Sequence, residues 1–190
     1  MRRPIHGRWP KVAAVAAPLT TATLFSARGR LDADGRWRWA ALPVLLWHQV
    51  EEWVWPGGFI EWLNREVLGS SEDLAPLTPA RASVVNVRFG WGMSLATSAL
   101  ADRLPAVAIF TSASNAANAA MHLGWAGRHR RWDPGAVTSA LLLLPWSIVG
   151  LRRRLGPGGA PAWQQVVGLL AGVGGFFRLV TSMRQAGSAG

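Results

Sequence analysis

The sequence contains no cysteine, no tyrosine and only ten acidic residues. Without cysteine the chain forms no disulfide, and both thiol catalysis and cysteine-ligated metal centres are excluded. Only 16% of its 190 residues are charged, whereas about a quarter are charged in an ordinary soluble domain. Twenty Lys and Arg residues outnumber the ten Asp and Glu residues, which gives a net charge of +10. This balance is unusual for a water-soluble enzyme domain.

Apolar residues and tryptophan are abundant instead. Half of the residues are hydrophobic, and twelve are Trp, a residue that membrane interfaces favour. The Arg residues occur in short runs between apolar segments, as in the loops that flank membrane helices. A nucleic-acid-binding protein would instead cluster its basic residues on one face, with aromatic residues for stacking. We therefore expect the lipid bilayer to be a partner of this chain, and we expect no nucleic acid to be one.

The apolar segments predict an all-α protein, a polytopic membrane bundle of about five transmembrane helices. Pro and Gly residues mark the ends of these segments, and the predicted helices cover residues 39–55, 81–100, 105–126, 134–151 and 163–180. We expect residues 39–183 to form the bundle, between an N-terminal extension (1–38) and a disordered tail (184–190). Within the extension, the apolar run Val12–Phe25 is compatible with a signal-peptide core, a weak spanning helix or an interfacial anchor.

Tryptophans flank the first predicted helix of the bundle. Trp37 and Trp39 lie at its start, and Trp53 and Trp55 lie at its end. Trp side chains are enriched where a membrane helix meets the headgroup region. The pattern predicts that these four residues mark the two membrane interfaces.

Ionisable side chains interrupt the same helix near its end. His48, Glu51 and Glu52 follow one another at i, i+3 and i+4, which places all three on one helical face. Such groups are costly in an apolar segment unless a metal, a partner or water stabilises them. A second His at one-turn spacing from a polar residue occurs in the third predicted helix, as Asn118 and His122.

The predicted topology brings these residues together. If consecutive helices alternate in direction, the end of the first helix lies beside the end of the third and beside the starts of the second and fourth. Asn86 and Thr138 then lie at the same depth as the His and Glu residues, within about 10–15 Å of one face. We expect Asp133 to cap the fourth helix and Pro134 to begin it.

Two His residues, a carboxylate and a nearby amide suit a divalent metal, either Zn²⁺ or Fe²⁺. We predict His48, Glu52 and His122 as metal ligands, with Asn118 at their side and Glu51 as the catalytic acid or base. Two alternatives remain open: the same groups relay protons in a small transporter, or they form a polar network that locks the helices together.

The motif also resembles a known family. His48-x-x-Glu51-Glu52, the Pro56-Gly57-Gly58-Phe59 run after it, Asn118-x-x-x-His122 and Asp133-Pro134-Gly135 are similar to the pattern of the HXXEE family. The resemblance covers roughly residues 39–145. It implies a small bacterial membrane protein, located in the cell membrane, and it implies no particular activity.

A looser resemblance links the Glu-Glu pair to intramembrane CAAX-processing metalloproteases, which combine such a pair with His and Asn on neighbouring helices. Their motif carries Arg three residues later, where this chain has Trp55 and Pro56. Together these features predict an integral membrane protein with a His/Glu/Asn cluster near one membrane face. A metal-dependent hydrolase of a small or lipid-like substrate is the function they favour.

Overall fold

The structure, a computed structural model, describes residues 7–131 and 133–188. In this part of the chain it contains helices and no strand, so the predicted all-α class is confirmed. The α-helices are α1 (Trp9–Ala27), α2 (Ala33–Trp39), α3 (Ala41–Trp53), α4 (Phe59–Trp62), α5 (Pro79–Ser83), α6 (Gly92–Leu100), α7 (Pro105–His129), α8 (Ala136–Thr138), α9 (Leu144–Arg154) and α10 (Ala162–Ser188). Three π-helical segments continue or join them: Leu63–Val67, Val84–Trp91 and Ser139–Leu143.

Helix α7 is central, because α6, α9 and α10 all pack against it. Its sequence is rich in Ala, Ser and Asn, and small residues of this kind allow close helix packing. On α10, Gly168 faces Ile109, and Gly172 faces the carbonyl of Phe110 and the side chain of Ala113. A Cβ atom at Gly172 would lie 2.6 Å from that carbonyl oxygen, so the α7–α10 packing requires glycine there.

The N-terminal apolar run belongs to α1, a 19-residue helix that packs against α3. Ala13 and Ala17 are fully buried there and contact Leu46. Pro18 lies inside α1, and the Thr21 hydroxyl donates to the carbonyl of Ala17. The division of the chain at residue 38 stays a prediction. At the other terminus, α10 extends to Ser188 and so includes residues 184–188 of the predicted tail, whose last two residues lie outside the described part.

Two of the tryptophans predicted at membrane interfaces are buried inside the protein instead. Trp37 stacks on Trp146 with ring centroids 5.0 Å apart, and each indole N–H donates to the backbone carbonyl of the other residue. Trp53 is 4% exposed and packs against Trp9 and Phe59. The interface prediction was therefore wrong for Trp37 and Trp53, because their rings find aromatic and hydrogen-bonding partners within the bundle. Trp39 and Trp55 are exposed.

The exterior is unusually apolar. Among the described residues, one helix is long and apolar enough to cross a membrane, namely Ala162–Gln185 of α10, so the five predicted spans are not confirmed. Large apolar side chains are nevertheless exposed along both α1 and α10, including Val15, Leu19, Trp163 and Leu170. The interior, in contrast, buries many polar side chains, among them His48, Gln49 and Glu52 of α3 and His122 of α7.

Candidate metal centre

Helices α3 and α7 bring three potential metal ligands together. His48 and Glu52 lie one turn apart on α3, and His122 lies on the facing side of α7. Glu52 Oε1 is 3.3 Å from His48 Nε2 and 3.2 Å from His122 Nε2. Each of the three residues is at most 4% exposed, and their ligand atoms all lie within 4.8 Å of one another. The predicted convergence of residues 70 positions apart is therefore present in the structure.

Each imidazole is held by its outer nitrogen. His122 Nδ1 is 2.6 Å from Asp133 Oδ1, a carboxylate oxygen that accepts the N–H. His48 Nδ1 is 2.9 Å from the hydroxyl oxygen of Thr138. That hydroxyl donates its single hydrogen to Glu51 Oε2, so it accepts from His48 and the Nδ1 atom carries the proton. The network thus places a proton on Nδ1 of both rings, and each Nε2 atom lies within 3.3 Å of Glu52 Oε1.

With Nε2 unprotonated in both rings, three acceptor atoms lie close together, and Asn118 donates to one of them, His48 Nε2. Two imidazole nitrogens and a carboxylate oxygen repel each other unless a cation lies between them, and that cation is either a proton or a metal ion. His122 Nε2 is buried and has no hydrogen-bond donor within reach. Zn–N and Zn–O bonds of about 2.0–2.1 Å place neighbouring tetrahedral ligands about 3.3 Å apart, which is the spacing of Glu52 from both histidines. The donor set therefore fits a divalent metal.

Glu51 occupies a different position from Glu52. Its Oε2 atom accepts from the backbone N–H of Thr138 at 2.7 Å, and its Oε1 atom accepts from Val137 N–H at 3.2 Å. Glu51 therefore caps the helical stretch that begins at α8. We expected Asp133 to cap this stretch, and that prediction was wrong, because the Asp133 side chain contacts His122 instead.

Asp133 is the site residue that sequence reasoning missed. It is fully buried, and burial raises the pKa of its carboxyl group even though the hydrogen bond from His122 acts in the opposite direction. A carboxylate that accepts from the outer nitrogen of a ligating His is a recurrent feature of metal sites. Only the Asp133-Pro134-Gly135 run marked this loop in the sequence, and it gave no reason to pair Asp133 with His122.

Aromatic rings and a glycine close the site on the side of the loop. The indole of Trp62 stacks on the His122 ring with centroids 5.3 Å apart, and the Trp53 N–H donates to Glu52 Oε2. Gly135 has φ +117°, and a Cβ atom there would lie 2.7 Å from His122 Cε1 and 3.0 Å from His48 Cε1. The loop can therefore approach both imidazoles only because residue 135 is glycine.

On its other side the cluster borders a cavity of about 500 Å³. His48, Glu52 and Asn118 line one end, and most of the remaining wall is apolar. Asn118 Nδ2 lies 3.1 Å from His48 Nε2, to which it donates. Asn86, which we expected at the same depth, accepts a hydrogen bond from Gln49 and contacts the cavity rather than the three ligands.

Comparison with known proteins gives a family and no activity. The sequence model of the family described as "Protein of unknown function with HXXEE motif" matches residues 39–150. No curated protein and no solved structure matches the chain. The match spans more than half of the 190 residues and includes the α3 motif and the Asp133 loop, which confirms the resemblance seen in the sequence. The chain belongs to the HXXEE family of proteins of unknown function.

Proposed function

We propose that this protein is a membrane-embedded metal-dependent hydrolase. The observation that carries the proposal is the convergence of three buried ligand atoms, from His48, Glu52 and His122, beside an apolar cavity that His48 and Glu52 line. The ligand set is His48, Glu52 and His122. A divalent metal held there would polarise a carbonyl group and lower the pKa of a water molecule.

The distribution of apolar surface supports the membrane location. Val15 on α1 is 62% exposed and Leu170 on α10 is 70% exposed, and each lies among other exposed apolar side chains of its helix. Rows of exposed apolar side chains along a helix are typical of surfaces that contact a membrane or a partner protein. A polar interior within an apolar exterior is what a lipid environment requires, because polar groups there must find partners inside the protein. About five spans, in the bacterial cell membrane, remain part of the proposal.

The surrounding residues have separate tasks in this proposal. Asp133 and Thr138 fix the tautomer and orientation of the two imidazoles, and the aromatic rings exclude water from the loop side. Asn118 must release His48 Nε2 when that nitrogen binds a metal, and its amide then becomes available to an oxygen atom in the cavity. Glu51, which we predicted as the acid or base, is better placed to position His48 through Thr138.

A proton-coupled carrier is the second candidate, since a specific observation favours it. One continuous series of polar contacts runs through the site, in the order Asp133, His122, Glu52, His48, Thr138 and Glu51. If protons, and not a metal, occupy the space between the three acceptors, this series is a relay rather than a catalytic centre.

Elemental analysis of the detergent-purified chain separates the two candidates. The hydrolase proposal predicts about one equivalent of Zn or Fe in the wild type and a loss of this metal in both His48→Ala and His122→Ala. His129→Ala is the matched control, because His129 lies at the exposed end of α7 and contacts Trp125. Wild-type protein that folds without metal, even after growth and purification with added Zn²⁺ and Fe²⁺, would refute the hydrolase and favour the relay.

A further inference from the structure

The cavity beside the cluster contains two polar groups that have no partner. The Ser94 hydroxyl and the Asn115 side-chain nitrogen are both inaccessible to solvent, and neither makes a hydrogen bond. Both residues line the cavity, Ser94 from α6 and Asn115 from α7. Ser94 is fully buried. A buried donor without an acceptor destabilises a protein, so two of them on the wall of one cavity require an explanation.

Most of the other polar side chains of this cavity are hydrogen-bonded, in contrast. Gln49 donates to Asn86 and accepts from Trp91, Thr111 bonds Thr97, and Ser114 donates to the carbonyl of Gly172. These residues hold the helices together, and the one strong charged donor on the cavity wall is the exposed guanidinium of Arg178. Among the buried polar atoms of the cavity, Ser94 Oγ and Asn115 Nδ2 are therefore the ones without a partner.

Helix geometry places this pair close to the metal centre. Asn115 precedes Asn118 by three residues, so the two side chains share a face of α7 and are separated by about 4.5 Å along its axis. The Asn118 amide in turn contacts His48. An oxygen atom that accepts from Ser94 and Asn115 would thus lie about one helical turn from the three ligands.

We propose that Ser94 and Asn115 bind the carbonyl oxygen of a neutral acyl ester, the substrate class of the hydrolase proposed above. Two donors require an acceptor, and the apolar remainder of the cavity, including Leu45, Phe89 and Phe110, suits a hydrocarbon chain. Glu52 and the exposed Arg178 line the same cavity with opposite charges, so the cavity offers no net positive charge that would favour a free fatty acid. A volume of about 500 Å³ is ordinary for a small-molecule site.

Binding of three lipids to the full-length chain in detergent tests this assignment. The probes are 1-monooleoylglycerol, its ether analogue 1-O-oleylglycerol, which lacks only the carbonyl oxygen, and oleic acid. Native mass spectrometry over a concentration series gives the relative affinities. We expect the ester to bind about 2- to 10-fold more tightly than the ether, the ratio that one or two hydrogen bonds produce. Oleic acid should bind more weakly than the ester.

Three variants test which side chains cause the preference for the ester over the ether. In Ser94→Ala and in Asn115→Leu the ester-to-ether ratio should fall to about one, while total hydrocarbon binding persists. Ser112→Ala is the matched control: Ser112 is also a buried, unpartnered hydroxyl, but it faces Gly150 of α9 instead of the cavity, so the ratio should stay at its wild-type value. Removal of an unpartnered hydroxyl leaves no acceptor orphaned, so Ser94→Ala should unfold at the wild-type temperature or above it.

Equal affinities for ester and ether in the wild type would overturn the assignment. So would an ester preference that survives in Ser94→Ala and Asn115→Leu, or tighter binding of oleic acid than of the ester. The readout needs no metal and is therefore independent of the elemental analysis. Bound metal without an ester preference refutes the ligand assignment alone, whereas an ester preference in metal-free protein refutes the metal-dependent function alone.

Discussion

Replacement of Glu51 by Gln would separate its role from that of Glu52. Gln has the size of Glu but offers one acceptor oxygen in place of two and carries no charge. In the native structure Glu51 accepts from Val137 N–H, Thr138 N–H and the Thr138 hydroxyl. If the carbonyl oxygen of the substituted side chain serves Thr138, its NH₂ group must face the Val137 N–H, and that pair of donors cannot bond.

The cost follows from these contacts. A hydrogen bond to a charged acceptor contributes about 1.5–3 kcal/mol, and a negative charge at a helix N-terminus contributes about 0.3–1 kcal/mol more. The neutral amide is easier to bury than the carboxylate, which offsets part of the loss. We expect Glu51→Gln to lower the free energy of unfolding by about 2–3 kcal/mol, or to lower the Tm by roughly 5–10 °C. Because Thr138 then holds His48 less firmly, metal affinity should fall by at least about 10-fold.

Thermal unfolding of the detergent-solubilised chain and a competition assay with a metal chelator would measure the two effects. Glu72→Gln is the matched control, because Glu72 lies exposed in the loop before α5, and it should change neither value. A Glu51→Gln variant that keeps both its Tm and its metal affinity would refute the assignment of Glu51 as the cap and as the support of Thr138. Complete loss of hydrolysis with stability and metal content unchanged would instead restore the acid–base role predicted from the sequence.

Two other changes test the loop and the surface charges. Gly135→Ala should destabilise the protein by at least about 2 kcal/mol and reduce its metal content, because the new methyl group meets both imidazoles. Gly92 lies in open space within a helix, so the control Gly92→Ala should be neutral or stabilising. Thermal unfolding and metal analysis of the two variants would check both expectations. Asp34 contacts Arg38, Arg153 and Arg154. Burial acts to raise the pKa of Asp34, but the hydrogen bonds and charges of these guanidinium groups outweigh it, and the pKa is lowered overall. The stabilisation from this lowered pKa is fully present above the unfolded-state value of about 4 and is lost as the pH falls through the folded-state value. Between about pH 5 and pH 2 the free energy of unfolding should thus fall more steeply with falling pH for wild type than for Asp34→Asn, and parallel curves would contradict this account.

The sequence was sufficient to predict the helices and most of the cluster. Apolar segments broken by Pro and Gly determine where α3, α7, α9 and α10 lie, because these residues control helix continuation locally. The i, i+3 and i+4 spacing of His48, Glu51 and Glu52 and the alternation of helix direction then bring His122 to the same depth. Such reasoning works because it needs only periodicity and short connections.

Three features could not be predicted in this way. The α2 helix begins with Asp32 as its N-cap, whose side chain accepts from Gly35 N–H, although Asp32-Ala33-Asp34-Gly35 is also typical of a turn. Whether Trp37 faces lipid or Trp146 depends on a contact 109 positions away. Glu51, and not Asp133, caps the helical stretch that begins at α8, because both carboxylates lie near this helix start and only packing decides which of them caps it.

The contacts of His48 also constrain the order in which the protein can fold. Its partners Asn118 and Thr138 lie 70 and 90 positions later in the chain, so the site is built almost wholly from non-local contacts. Closing loops of that length is slow and entropically costly before the contacts form. A chain fragment that ends before residue 138 lacks the support of His48 even when α3 and α7 have already formed. Metal uptake would therefore mark the completion of folding, and metal supplied during synthesis would favour finished molecules over partly assembled ones.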